Sequence, residues 1–254
     1  MLSTRVIPSL LLKGVGLVKG QNFKNHKYVG DPINAVRIFN EKEVDELFFL
    51  DITASQENKE PNFKLLEDIA TEAFMPLGYG GGITNLSQIE RLFKIGFEKV
   101  IINTACQLNP SLITQAAAVA GSQSIVAAID IKKTLFRSKS VFIKSGTINI
   151  KQSPVAYAQK LEALGVGEII LTSIDHEGQG KGYDYELVKQ ISHSVNIPVV
   201  ISGGAGQLDD FKKAVDSGAS AVAAGDMFTF YGKHRAVLIT YPEYEQLTNL
   251  FKGS

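Results

Sequence analysis

A chain of 254 residues, 44% hydrophobic and 20% charged, has enough apolar side chains for one large core, and α/β barrels reach this length as a single domain. Its 26 Lys and Arg balance 26 Asp and Glu, which excludes a long-range field holding it on nucleic acid or an acidic membrane surface. Any anionic ligand must be bound by local geometry, and the single cysteine, Cys106, excludes an internal disulfide framework.

The first apolar run, residues 6–12, is short, contains Pro8 and lacks a small-residue cleavage site, so it reads as a strand rather than a leader. No uninterrupted apolar run approaches the roughly 18 residues of a membrane span, and Cys106 reads as a buried thiol in a reducing cytosol; a cytoplasmic protein is expected. Further strand-like runs follow at 47–52, 75–79, 99–103, 125–130, 168–172, 198–202 and 221–224. Between them helical spacing recurs at 33–42, 62–73, 86–95, 111–120, 154–164, 185–192 and 208–217. Asp31 before Pro32 and Ser153 before Pro154 have the chemistry of helix starts, and Gly96, Gly165 and Gly218 that of helix ends.

Eight βα units predict a parallel sheet. The halves echo each other at an offset of about 120 residues: Tyr79-Gly80-Gly81-Gly82-Ile83 matches Ser202-Gly203-Gly204-Ala205-Gly206, and Leu50-Asp51-Ile52-Thr53 matches Leu171-Thr172-Ser173-Ile174. The expected fold is a single (β/α)8 TIM barrel over residues 1–254, built from two similar half-barrels; an open doubly wound sheet is the alternative, and it gives no reason for the duplication.

Each glycine cluster follows a strand and precedes a helix. Bare backbone there lets N–H groups approach a phosphate, although tight strand-to-helix turns use glycine as well. Asn103-Thr104 and Thr172-Ser173-Ile174-Asp175 are polar strand ends, which in a barrel face the active-site mouth. Asp51 and Asp130 end strands two and five, as general acid/base candidates or as caps for the next helix. His26, His176, His193 and His234 are scattered without Cys or Asp clusters, so neither a metal nor another cofactor is expected.

Phe49-Leu50-Asp51-Ile52-Thr53-Ala54-Ser55, the two glycine segments, Asn103-Thr104-Ala105, Ala128-Ile129-Asp130 and Leu171-Thr172-Ser173-Ile174-Asp175 resemble, in order, the motifs of HisF, the cyclase subunit of imidazole glycerol phosphate synthase. The resemblance covers nearly the whole chain and weakens after Phe228. It implies Asp130 as a catalytic acid/base, one phosphate site at Gly82, Asn103 and Thr104, and a second at Glu177, Gly178, Gly204, Gly225 and Asp226. Lys19 would reach in from the first loop, with Asp51 and Thr172 completing the substrate site. Arg5, Glu46, Lys99 and Glu168 match the family's ring of charges at the barrel bottom, where ammonia enters; an ordinary salt-bridge cluster is the alternative. The implied partner is a HisH-like glutaminase at the N-terminal face, near Glu98 and Gln123.

Three departures stand out. Leu11 occupies the position of the family's second catalytic aspartate, and a leucine can neither donate nor accept a proton. Glu177 and Asp226 place acidic groups beside the second phosphate site. After Phe228, residues 232–239 replace the expected final helix, and together with Lys27-Tyr28-Val29-Gly30-Asp31-Pro32 they resemble HisF paralogues linked to acetamidino modification of nucleotide-activated surface sugars. Lys233, His234 and Arg235 are then contacts for an anionic ligand or a partner, or a solvated basic run. Residues 14–30 read as a Gly- and Lys-rich loop with the make-up of a lid. Three functions stay open: an amidotransferase component acting on a phosphorylated or nucleotide-sugar substrate, a histidine-biosynthesis cyclase, and a non-catalytic channel that activates the glutaminase.

Overall fold

The computed structural model describes residues 4–135, 138–232 and 234–252. Eight parallel strands, β1 (Arg5–Lys13), β2 (Leu47–Asp51), β3 (Leu77–Gly80), β4 (Lys99–Ile102), β5 (Ile125–Lys133), β6 (Glu168–Ser173), β7 (Val199–Ser202) and β8 (Ala221–Ala224), pair in sequence order. The β8–β1 and β5–β6 pairings complete the cylinder, so the sheet is a closed (β/α)8 TIM barrel and not an open doubly wound sheet.

The helices between strands are α1 (Pro32–Glu41), α2 (Phe63–Glu72), α3 (Leu86–Ile95), α4 (Ser111–Ala120), α5 (Pro154–Ala163), α6 (Tyr185–Ser192) and α7 (Leu208–Asp216). Their starts are chemically fixed: Asp31 accepts from the Asn34 N–H and Ser153 from the Ala156 N–H, each with Pro as the next residue. Observed helix boundaries fall within one residue of those read from the sequence and strand boundaries within three, the widest difference being at β5, which runs on to Lys133.

Two expectations are corrected. Residues 14–30 are not a loop: Gly16–Gln21 and Lys24–Gly30 form an antiparallel ribbon extending from β1. A second ribbon, Lys139–Ile143 with Ile148–Asn149, extends from β5 at the equivalent point of the repeat. The final helix is not replaced either. Phe230–Tyr231 and Ala236–Val237 form an inserted hairpin, and α8 (Tyr244–Phe251) comes after it. The tail is tied back where the Tyr241 hydroxyl donates to Val6 O at 2.8 Å and its ring packs on Phe228.

The main core lies between the strands and the helix ring, and a second core fills the barrel itself. Side chains alternate across a strand, so Ile7, Phe48, Ile101, Val126, Ile170 and Val200 point inward and form an apolar layer at mid-height. β3 adds no side chain to that wall at Gly78, because Phe48 takes the space: a Cβ there would lie 2.6 Å from Phe48 Cδ1. Gly78→Ala is therefore expected to cost about 1–3 kcal/mol through overpacking. In urea unfolding, Phe48→Leu added to Gly78→Ala should recover part of that loss, whereas fully additive losses would refute the pairing.

Candidate active site at the mouth of the barrel

Counting inward-facing residues up each strand gives the vertical order of the site. On β1 they are Arg5, Ile7, Ser9 and Leu11; on β5, Val126, Ala128 and Asp130; on β6, Glu168, Ile170 and Thr172. The floor is ionic, the middle apolar and the mouth polar.

At the floor Arg5 donates to both Glu46 and Glu168, while Lys99 bonds Glu168 at 2.6 Å and Glu46 at 2.9 Å. The four residues alternate in sign and sum to zero charge. Burial pushes the Glu46 carboxyl above its usual range, against the opposing pull of Lys99 and Arg5. Burial alone would lower Arg5, but its contacts with Glu168 and Glu46 outweigh that and raise it. The ring predicted from the sequence is assembled. Glu98 and Gln123 are exposed at the same end.

The mouth encloses a cavity of about 280 Å³ lined by residues from both halves. Asp130 lines it, is 9% exposed, and accepts from Asn103 Nδ2 at 3.2 Å. Burial lifts its carboxyl to about 7. Leu11 lines the same cavity from β1. Thr172 stands opposite Asp130 in the β5–β6 register.

Gly82, Asn103 and Thr104 come together at the β2–β4 side. Asn103 also donates to Ala128 O at 2.9 Å, and the Thr104 hydroxyl accepts from the Lys144 N–H at 3.1 Å. Glu177, Gly178, Gly204, Gly225, Asp226 and Lys19 line the opposite side. Lys19 lies on the first ribbon, buried, and donates to Ser9 O at 3.2 Å. Its close approach explains Gly225, where an added Cβ would fall 1.6 Å from Lys19 Nζ. Desolvation lowers the Lys19 ammonium while Glu177 and Asp226 pull it back up.

Asp51 lines the cavity, yet its Oδ1 is used by the turn after β2, accepting from Thr53 N, Thr53 Oγ1 and Ala54 N at 2.9–3.0 Å. The capping reading accounts for that oxygen. Arg235 is neither free in solvent nor at the cavity: it donates to Asp226 Oδ2 at 2.7 Å and lies over the Phe230 ring. His234 is exposed, and Lys233 lies outside the described residues.

The roof of the cavity is formed by the two ribbons, of which only the first, residues 14–30, was read from the sequence as a covering segment. Asn22 and Phe23 turn the first ribbon with positive φ, and Lys144 and Ser145 do so in the second. A bulky residue such as Phe23 rarely adopts that region, so its placement over a cavity marks a constrained position. Asn22 N donates to Glu177 O at 3.0 Å and Asn22 Nδ2 to Ile174 O and Asp175 O. Ser145 Oγ donates to Ile52 O at 2.7 Å. The turn chemistry of the two segments was the available signal.

Known proteins agree with this geometry. A sequence profile describing a histidine biosynthesis protein, His_biosynth, matches residues 5–235. The chain is 54% identical over 248 residues, covering 97% of it and 99% of the relative, to a Pseudomonas aeruginosa protein provisionally named imidazole glycerol phosphate synthase subunit hisF2. It is 47% identical over 253 residues, 99% of it and 100% of the relative, to a Leptospira interrogans protein with the same provisional name for HisF. With imidazole glycerol phosphate synthase subunit HisF of Endomicrobium trichonymphae it shares 44% over 230 residues, 91% of this chain and 88% of the other. Barrel, duplicated glycine turns and relatives together make the chain a member of the histidine biosynthesis protein family, of the HisF, synthase-subunit type.

Proposed function

We propose that this barrel is the ammonia-using subunit of a glutamine amidotransferase complex whose acceptor is not the histidine-pathway intermediate but a phosphorylated or nucleotide-activated surface sugar that gains an amidino group. The observation that carries this reading is Asp130 facing Leu11 across one cavity, where paired acid/base chemistry needs two titrating groups.

The chemistry rises through the layers. A HisH-like glutaminase docks at the N-terminal face, beside Glu98 and Gln123, and releases ammonia at the Arg5, Glu46, Lys99 and Glu168 ring. Neutral ammonia crosses the apolar layer above it; an ammonium ion would have to shed its hydration there. At the mouth, backbone and hydroxyl groups of Gly82, Asn103 and Thr104 hold an anionic end of the substrate. Asp130, with its carboxyl near 7, moves one proton close to neutral pH. Ring closure in the family's own reaction needs transfers at more than one atom, and Leu11 supplies none.

The decisive assay is ammonia-dependent turnover of the histidine-pathway substrate. The native protein is expected to run around 100- to 10,000-fold below Leu11→Asp, the range for one missing acid/base group. That gain should vanish in Leu11→Asp/Asp130→Asn. Brisk turnover by the native protein would overturn the reading in favour of a histidine-biosynthesis cyclase.

Asp130 also makes a pH prediction that needs no substrate. Its carboxyl is raised from 3.8 to about 7 on folding, so the native state keeps a proton that the unfolded chain releases. The native chain thus loses stability as pH rises through that window, by up to about 1.4 kcal/mol per pH unit. Asp130→Asn cannot ionise, so its stability relative to the native chain should climb between pH 5 and pH 8. An offset in urea unfolding that is equal at both pH values would show that the carboxyl is not raised.

A further inference from the structure

Beside the main cavity lies a second hollow of about 380 Å³ that the chemistry proposed above does not use. The two share Ser55, Gly82, Ile83 and Thr104 in their lining, so the proposed phosphate site borders both. The hollow has the size of a small ligand pocket, of which a phosphate would fill only a fraction. At the shared border the Gly82 N–H reaches only Ser55 Oγ, at 3.5 Å.

Gln88, the third residue of α3, decides what the hollow accepts. It is 8% exposed, and its Oε1 is already engaged, accepting from Thr84 N at 2.8 Å and Thr84 Oγ1 at 3.2 Å. Its Nε2 donates to nothing among the described residues, and unlike the sealed polar atoms of the interior it keeps accessible surface on the hollow. A ligand there must bring an acceptor. The buried lining is apolar, from Ala54, Ile83 and Ala105, and Leu108 adds a side chain that is 66% exposed. Of the two lysines in the lining, Lys59 is paired with Glu57 at 2.6 Å, whereas Lys144 has no ion pair among the described residues.

A nucleobase answers each of these features, for its faces are apolar, its edge carries carbonyl or ring-nitrogen acceptors, and a ribose links it to phosphate. An acyl chain would leave the Gln88 amide without an acceptor. We infer that the hollow is a nucleoside subsite, so that the substrate is a nucleoside diphosphate sugar: its diphosphate crosses at Gly82 and Thr104 beside Lys144, its base meets the Gln88 amide, and its sugar enters the main cavity towards Asp130. This deepens the function proposed above, rests on its phosphate site at Gly82, Asn103 and Thr104, and selects a nucleotide-activated sugar over a simple sugar phosphate.

Titration calorimetry with UDP, ADP and inorganic pyrophosphate tests it, since pyrophosphate carries the same two phosphates without the nucleoside. The native protein is expected to bind at least one of the nucleotides about tenfold or more tightly than pyrophosphate. Gln88→Glu keeps the acceptor that Thr84 needs and suits the first turn of a helix, but it replaces the donor with an acceptor and should erase that preference. Leu108→Ser changes an exposed position, so it should weaken the preference with an unchanged thermal melt and serves in place of Gln88→Glu if that variant does not fold. Equal binding of nucleotide and pyrophosphate by the native protein would overturn the subsite, as would binding of none of the three or a preference that survives both variants. Those failures differ from failure of the broader reading, which would show itself as brisk turnover of the histidine-pathway substrate.

Discussion

Along a barrel strand only every second side chain reaches the interior, and the centre of this molecule is organised by that step of two. Arg5, Ile7, Ser9 and Leu11 climb one wall, and Glu168, Ile170 and Thr172 climb the wall across from it. Leu10 and Leu12 belong instead to the outer core under the helices. A slip of one residue in β1 would bring Leu10 to the mouth and turn Arg5 away from Glu46 and Glu168. Charged floor, apolar middle and polar mouth are thus one pattern read at three heights, and the closed β5–β6 pairing holds the eight strands in the register that keeps those heights level.

The barrel was legible because each strand carries a dense apolar run and each helix an apolar stripe with a chemical start or stop. Leu86–Ile95 is legible to the residue for this reason: Asn85 caps its first turn and Gly96 closes its last with φ of 116°. The ribbons were less visible. Their strands pair antiparallel above the barrel, and in Lys24–Gly30 most residues are exposed, so little apolar alternation marks them as strands. The final helix is hard to see in the sequence because Leu247 is its only buried residue, and the inserted hairpin before it has no counterpart in the repeat.

The candidate site divides in the same way. Asp130, Asn103, Thr104, Thr172 and the glycine turns end strands, and strand ends meet at a barrel's mouth whatever their separation in the chain. Residue type alone did not show what each group does there. Asp51 turned out to spend one oxygen on its own turn, and Asp226 to be balanced by Arg235, nine residues on, across a hairpin that only the folded chain reveals. The acid that looked hardest to reconcile with an anion site is the one for which the departing tail supplies a cation.

The two ribbons cross over. The one rooted in the first half is fastened to the loop after β6, through Asn22 and through Gln21, which donates to Gly178 O at 3.1 Å. The one rooted in the second half is fastened to the ends of β2 and β4, through Ser145 and Lys144. They also meet, for a Cβ at Gly146 would sit 3.1 Å from the Phe23 ring. Each half of the duplicated barrel therefore wears the other's cover. The repeat accounts for the cylinder, but a half standing alone would have neither a latch for its own arm nor a roof over its own strand ends, so the likeness of the two halves and their dependence on each other are built into the same contacts.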